Sequence, residues 1–196
     1  MNYLAHAYLS FNDADVLVGN MISDFVKGKQ KDSYPAGIHK GIMLHREIDS
    51  FTDAHPATAK AKEFFRPAYR LYSGAFIDIV YDHFLANDNI IFPEKALMDF
   101  SQATYSILDK YNNDLPLTFK AMLPYMKQHN WLFNYRYRWG IKNSFGGLVH
   151  RAKFMHDSNA AFEIFENNYT ALQQSYAEFM PDIILFARNR FNLSLL

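Results

Sequence analysis

The stretch IHKGIMLHREIDSFTD, residues 38–53, places Ile38, Ile42, His45 and Asp49 three or four positions apart. That spacing lines them along one side of an α-helix. Pro35 opens this helix, at a position where its missing N–H has no helical partner to lose. Upstream, VLVGNMISDFVKG (residues 16–28) repeats the period with Val16, Leu17, Met21, Ile22, Phe25 and Val26, and Gly28 reads as its C-cap. Downstream, GAFIDIVYDHFLAND (residues 74–88) reads as an apolar helix that carries Asp78, Asp82 and His83 inside it.

The helical period continues on both sides of these blocks. Residues 2–10 form a short apolar segment holding His6, and FNDAD breaks it with Asn12 and Asp13 as cap residues. A helix over 56–66 opens at Pro56 and closes near Pro67. Further helices are expected over 94–110, about 116–139 and about 145–165, with the break near Gly140, and a last one over 168–178. The apolar tail beyond it packs back on the body. No run alternates at period two, and no repeat, low-complexity stretch or linker divides the chain. The expected fold is an all-α, compact helical bundle, one domain over residues 1–196.

Composition narrows the chemistry. A chain of 196 residues is long enough for one sizeable core. It has no cysteine, which excludes disulfides, thiolate metal sites and a cysteine nucleophile, and fits a cytoplasmic protein. The opening MNYLAHAYLSFNDAD lacks the basic flank and long apolar run of a signal peptide, and no stretch approaches a membrane span. The 20 basic and 20 acidic side chains cancel, but unevenly along the chain. From Leu115 to His156 there is no acid, while Lys120, Lys127, Arg136, Arg138, Lys142, Arg151 and Lys153 are present. Such a layout can steer an anionic partner. Within it, NWLFNYRYRWG interleaves aromatic and basic residues. That pattern suits nucleic acid, an acidic protein or a phosphate-bearing ligand, and it equally suits plain packing with a solvated face.

The candidate chemistry is a set of His and Asp residues on apolar helices. His45 and Asp49 share a face, as do Asp78 and Asp82, with His83 adjacent; Asp24 and His6 stand alone in apolar surroundings. An uncompensated carboxylate in a dry setting is costly. Carboxylates beside imidazoles suit manganese, iron, zinc or magnesium. Each site also has an ordinary reading: a satisfied core histidine for His6, an exposed intrahelical pair for His45 and Asp49, caps or solvated faces for the lone carboxylates. Asp53, just before Pro56, reads as a helix cap or as a residue at the mouth of the site. Phosphate loops, dinucleotide fingerprints, HExxH and GxSxG are all absent.

Four blocks in order, MNYLAHAYLS, LVGNMISDFVKG, GIMLHREIDSFTDAHP and IDIVYDHFLA, carry a resemblance. The chain resembles the acyl carrier protein phosphodiesterases over nearly its whole length, with residues 1–90 as the specific part of the match. The resemblance implies an all-helical fold distantly related to the HD phosphohydrolases and a divalent metal, most often manganese. It also implies removal of the 4′-phosphopantetheine group from holo acyl carrier protein. Asp24 falls on the family residue most clearly tied to activity, and His6, His45, Asp49, Asp82 and His83 fall on block positions.

On that basis His45, Asp82 and His83 are expected to hold the metal, with Asp24 or His6. Asp49 or Asp78 would orient the water or a ligand imidazole. Arg136, Arg138, Lys142, Arg151 and Lys153 would face the acidic carrier protein. Two other readings stand beside it. One is an HD-like phosphohydrolase acting on a nucleotide or small phosphodiester. The other is a non-enzymatic helical module that binds protein or nucleic acid.

Overall fold

Helix α2 (Ala14–Ile22) and helix α3 (Ala36–Ala54) cross backbone to backbone. A Cβ on Gly19 would stand 2.0 Å from the Ile38 carbonyl oxygen, and one on Gly41 would stand 2.2 Å from that of Val16. Any side chain would force the helices apart, so the crossing requires glycine at both positions. The close approach lets the residue that caps α2 reach α3: Ser23 Oγ donates to the Ile42 carbonyl at 3.2 Å.

The computed structural model describes residues 1–152 and 157–193. Helix α1 (Tyr3–Tyr8) precedes the crossing, with Asn2 accepting from Tyr3 N at 3.0 Å as its cap. The others are α4 (Pro56–Tyr69), α5 (Ser73–Ala86), α6 (Ala96–Lys110), α7 (Leu117–Gln128), α8 (Trp131–Asn134), α9 (Arg138–Arg151), α10 (Ser158–Asn167) and α11 (Tyr169–Leu193). No strand forms among the described residues, as the period implied. None of their helices is long and apolar enough to cross a membrane.

Helix α5 is the central strut. It packs on α1, α4, α9 and α11, and its buried run from Phe76 to Ala86 leaves only Asp78 less than fully enclosed. The Phe65 ring of α4 stacks on Phe76 at 5.3 Å, and Phe145 of α9 meets both edge-on. Each such ring contributes about 1.5–3 kcal/mol of burial. Buried residues from Leu4 to Ala187 join one core.

Several helix boundaries differ from the sequence expectation. Gly140 does not break the chain: it lies inside α9, where a Cβ would stand 2.0 Å from the Asn134 carbonyl. The breaks fall at Asn130, whose φ of 42° ends α7 in a left-handed turn, at residues 135–137 between α8 and α9, and after Arg151. Gly28, at φ 55°, is not the cap of α2, which stops at Ile22 before two short 3-10 turns. Helix α4 runs through Pro67, and α11 runs through Pro181, so the last helix and the tail are one element. Asp13 caps α2 by accepting from Val16 N at 3.0 Å, as expected. Asp53 does not cap α4. It pairs with Lys62 at 2.6 Å, while His55 accepts from Ala57 N at 3.2 Å.

Candidate metal centre

Asn20 sits fully buried on α2, between His6 of α1 and His45 of α3. Its amide nitrogen donates to the His6 carbonyl at 2.8 Å and to Ser10 Oγ at 3.1 Å. That fixes Oδ1 as the atom facing His6 Nδ1 at 2.8 Å, so this ring nitrogen carries a proton and donates. The Asn20 backbone carbonyl faces His45 Nδ1 at 2.7 Å, and a carbonyl only accepts, so that nitrogen is a donor too. One asparagine thus sets both tautomers and leaves both Nε2 atoms with lone pairs when the rings are neutral.

Those two lone pairs converge on carboxylates. His6 Nε2 lies 3.2 Å from Asp49 Oδ1, and His45 Nε2 lies 3.1 Å from Asp49 Oδ2 and 3.2 Å from Asp24 Oδ1. Acceptor facing acceptor at hydrogen-bond distance requires a cation between them, either a proton or a metal ion. Ligand atoms of His6, His45 and Asp49 all lie within 4.8 Å of one another. Two imidazoles and a carboxylate, each imidazole anchored through its other nitrogen, form a donor set that fits a divalent ion with open positions.

The electrostatics divide the pair. Burial lowers the His45 pKa, but hydrogen bonds and charge from Asp24 and Asp49 outweigh this and raise it to about 9. Burial and the neighbouring His45 lower His6 to about 4. Near neutral pH a proton is therefore held more strongly at His45 than at His6. Asp49 is held far below the usual carboxylate range: burial opposes this, but the Met1 ammonium and both imidazoles prevail. That ammonium, itself buried, lies 3.1 Å from Asp49 and 3.0 Å from Asp78. Burial would lower its pKa, but the two carboxylates raise it to about 11.

The family model described as acyl carrier protein phosphodiesterase matches residues 1–183. The chain belongs to this family. A relative from Enterobacter sp. (strain 638), named acyl carrier protein phosphodiesterase, is 31% identical over 191 residues, covering 97% of this chain and 99% of the relative. One of the same name from Yersinia pestis is 31% identical over 192 residues, with the same coverage. A third, from Photorhabdus laumondii, is 29% identical and covers 97% and 96%. No solved structure matches the chain.

The phosphodiesterase blocks do not all converge in space. His6, Asp24, His45 and Asp49 come together, with Asp24 at the outer edge, its side chain 70% exposed. Asp78 joins through the Met1 ammonium. Asp82 and His83 are held elsewhere, against the expectation that they share an ion with His45. Asp82 is fully buried and accepts from the first-turn amides of α1, Leu4 N at 2.8 Å and Ala5 N at 3.1 Å. Burial pushes its carboxyl up to about 7. His83 donates from Nδ1 to the Tyr135 carbonyl at 2.7 Å and accepts at Nε2 from Tyr169 OH at 3.0 Å. Both ring nitrogens are thereby used in tying α5 to α8 and α11.

On the basic side, Arg138 pairs with Glu166 and lies 4.3 Å over the Tyr169 ring. Arg136 lies over Phe133 at 5.1 Å and Lys142 over Phe162 at 5.6 Å. Arg151 lines a pocket beside α1. Lys153 lies outside the described residues. Sequence reading missed Asn20 and the Met1 ammonium. A lone carboxamide in the apolar run VLVGNMI was the available signal, since a polar group buried there needs partners.

Proposed function

We propose that this protein is a metal-dependent phosphodiesterase that removes the 4′-phosphopantetheine group from holo acyl carrier protein. The observation that carries the reading is Asn20 spending both Nδ1 protons while His6, His45 and Asp49 present converging donors. Family membership and relatives named for this activity over nearly their whole length support the substrate. His6, His45 and Asp49 would hold the ion. Manganese is the metal we assign, with magnesium, iron and zinc as the competitors a mixed nitrogen–oxygen set admits. A bound divalent ion supplies Lewis acidity toward a phosphoryl oxygen and lowers the pKa of a water.

The chain's own groups do the rest. Asn20 keeps both imidazoles in the ligating tautomer. Asp78 and the Met1 ammonium hold Asp49 in place. Asp24, charged and open to solvent beside His45, accepts a proton from the attacking water. Arg136, Arg138, Lys142 and Arg151 form the face we assign to the acidic carrier protein. Asp82 and His83 take the structural roles that their hydrogen bonds support. One continuous core supports a single domain, and the cysteine-free composition supports a cytoplasmic enzyme.

The test is incubation with holo acyl carrier protein and manganese, read as loss of the prosthetic group by mass spectrometry, with Asp24→Ala as control. Release by the wild type and none by the variant is the expected result. An intact holo carrier after prolonged incubation with metal-loaded protein would sink the reading.

A further inference from the structure

A pocket of about 570 Å³ opens between α1 and the α7–α9 segment. That volume lies within the range of small-molecule sites. Asn2, Tyr3 and Ile79 are on its α1/α5 side. Each is tied to the metal centre. Asn2 follows Met1, whose ammonium lies 3.1 Å from Asp49. Ile79 follows Asp78, which takes the same ammonium at 3.0 Å. Consecutive Cα atoms are about 3.8 Å apart, so the backbones of Asn2 and Ile79 lie next to the Met1–Asp78 ion pair that also reaches Asp49. Tyr3 shares α1 with His6 and lines the pocket: its phenol is raised to about 12 by burial and by the charge of Asp24, and drawn back by Arg151.

The lining is unusual in its chemistry. Among the described residues it contains no carboxylate, and Arg151 is its one Lys or Arg. Carboxamides dominate the polar part, among them Gln128, Asn134 and Asn143, and the rings of Trp131, Tyr135 and Trp139 supply the apolar part. An acyl chain would call for an aliphatic wall. A polyanion would call for more than one cation. Carboxamides with aromatic faces and one guanidinium suit a ligand that is anionic at one end, with a neutral body made of amide and methylene groups. Carboxamide side chains pair with such amides as both donor and acceptor.

We infer that this pocket seats the amide-linked body of the phosphopantetheine arm, with the phosphate end toward His45 and Asp49 and Arg151 beside its path. This rests on the phosphodiesterase reading above and adds to it a leaving-arm subsite. It also gives Trp139, 53% exposed and stacked on Tyr137 at 5.7 Å, a place at the rim between the pocket and the basic face.

Two adjacent glycines on α9 allow a clean test. Gly147 lines the pocket, and a Cβ there would meet only Arg151 Nη1, at 3.6 Å. Gly146 is absent from the lining, and a Cβ there would meet only Ser158 Oγ, at 3.9 Å. Among the described residues a Cβ therefore meets nothing closer than 3.6 Å at either position, and only Gly147→Leu places its side chain at the pocket. The probe is free pantetheine, its binding measured by calorimetry, alongside turnover of holo acyl carrier protein with manganese.

Wild type and Gly146→Leu should bind pantetheine. Gly147→Leu should weaken that binding by about tenfold or more and raise KM for the holo carrier by a similar factor. Asn143→Leu, on the same wall, decides the matter if Gly147→Leu fails to fold, and should also weaken binding. Pantetheine binding that is absent, or unchanged in both pocket variants, overturns the subsite even if the carrier is still cleaved. Binding that the pocket variants abolish, with no cleavage by wild type, keeps the subsite and removes the phosphodiesterase reading instead.

Discussion

The imidazoles of His6 and His45 lie face to face, 3.8 Å between centroids and 12° between planes. Two imidazolium ions at that separation would repel strongly, so the pair takes one proton near neutral pH and His45 holds it. Stability without metal then has a definite pH dependence. His45 is raised above its unfolded value of about 6.5, so its contribution is full below that pH and is lost as pH rises toward about 9. Without metal, the melting temperature should fall across that window. His45→Gln should flatten the fall below pH 8, where the Met1 ammonium, raised to about 11, has not begun to titrate. A wild-type melting temperature that stays level from pH 6.5 to 9 would contradict the proposed proton.

Asn20→Leu should damage the metal centre without touching a ligand. It removes the acceptor of His6 Nδ1 and the donor to the His6 carbonyl and Ser10, leaving buried polar groups unpaired. The expected loss of stability is about 1–3 kcal/mol. Manganese affinity should fall about 10–100-fold, because an untethered imidazole is free to take the other tautomer. Denaturant melts and manganese titration by electron paramagnetic resonance read the two effects separately. Unchanged affinity would remove Asn20 from the site.

Gly41→Ala tests the crossing that builds the centre. Alanine is the better helix former by about 1 kcal/mol, so a position without contacts would be stabilised. Here the new Cβ meets the Val16 carbonyl at 2.2 Å and α3 must move away from α2. Net destabilisation of about 1–3 kcal/mol is expected, with weaker manganese binding as His45 withdraws from the Asn20 carbonyl. A stabilised variant would mean that the helices can separate at no cost.

Much of this was legible in the sequence, and the failures have physical reasons. The period-3.6 pattern located α3 because it buries one broad face, while α2 and α5 stood out as apolar runs that are buried on nearly all sides. Gly140 read as a break because sequence does not distinguish a glycine that lets the chain turn from one that lets two backbones touch. The last helix was expected to stop at 178 because propensity ignores the packing that keeps α11 continuous through Pro181. At the site, His45 and Asp49 were visible as an i, i+4 pair, and Asp24 as a carboxylate among apolar residues. The adjacent Asp82 and His83 looked like a ligand pair, but neighbours on a helix point about 100° apart. Here one turns to the amides of α1 and the other to Tyr135 and Tyr169.

Asp24→Asn should separate chemistry from metal binding. Asp24 touches His45 but lies outside the group whose ligand atoms all fall within 4.8 Å, and its side chain is largely in solvent. Manganese affinity should stay within a few-fold of wild type, while turnover of the holo carrier falls by about 10²–10⁴, the range expected when a general base is lost. Loss of manganese binding in this variant would make Asp24 a ligand and move the base elsewhere.

Charge reversal on the basic face should act through the carrier protein alone. Arg138 is committed to Glu166, so Arg136→Glu with Lys142→Glu is the more informative pair: both lie over aromatic rings, at Phe133 and Phe162, without an acid partner in those contacts. The double variant should raise KM for holo acyl carrier protein by about tenfold at low salt and less at high salt, because such charges govern encounter more than docked affinity. Pantetheine binding and the melting temperature should be unaffected, since neither residue lines the pocket. An increase in KM that ignores ionic strength would point to a packing defect, and no increase would place the carrier on another face.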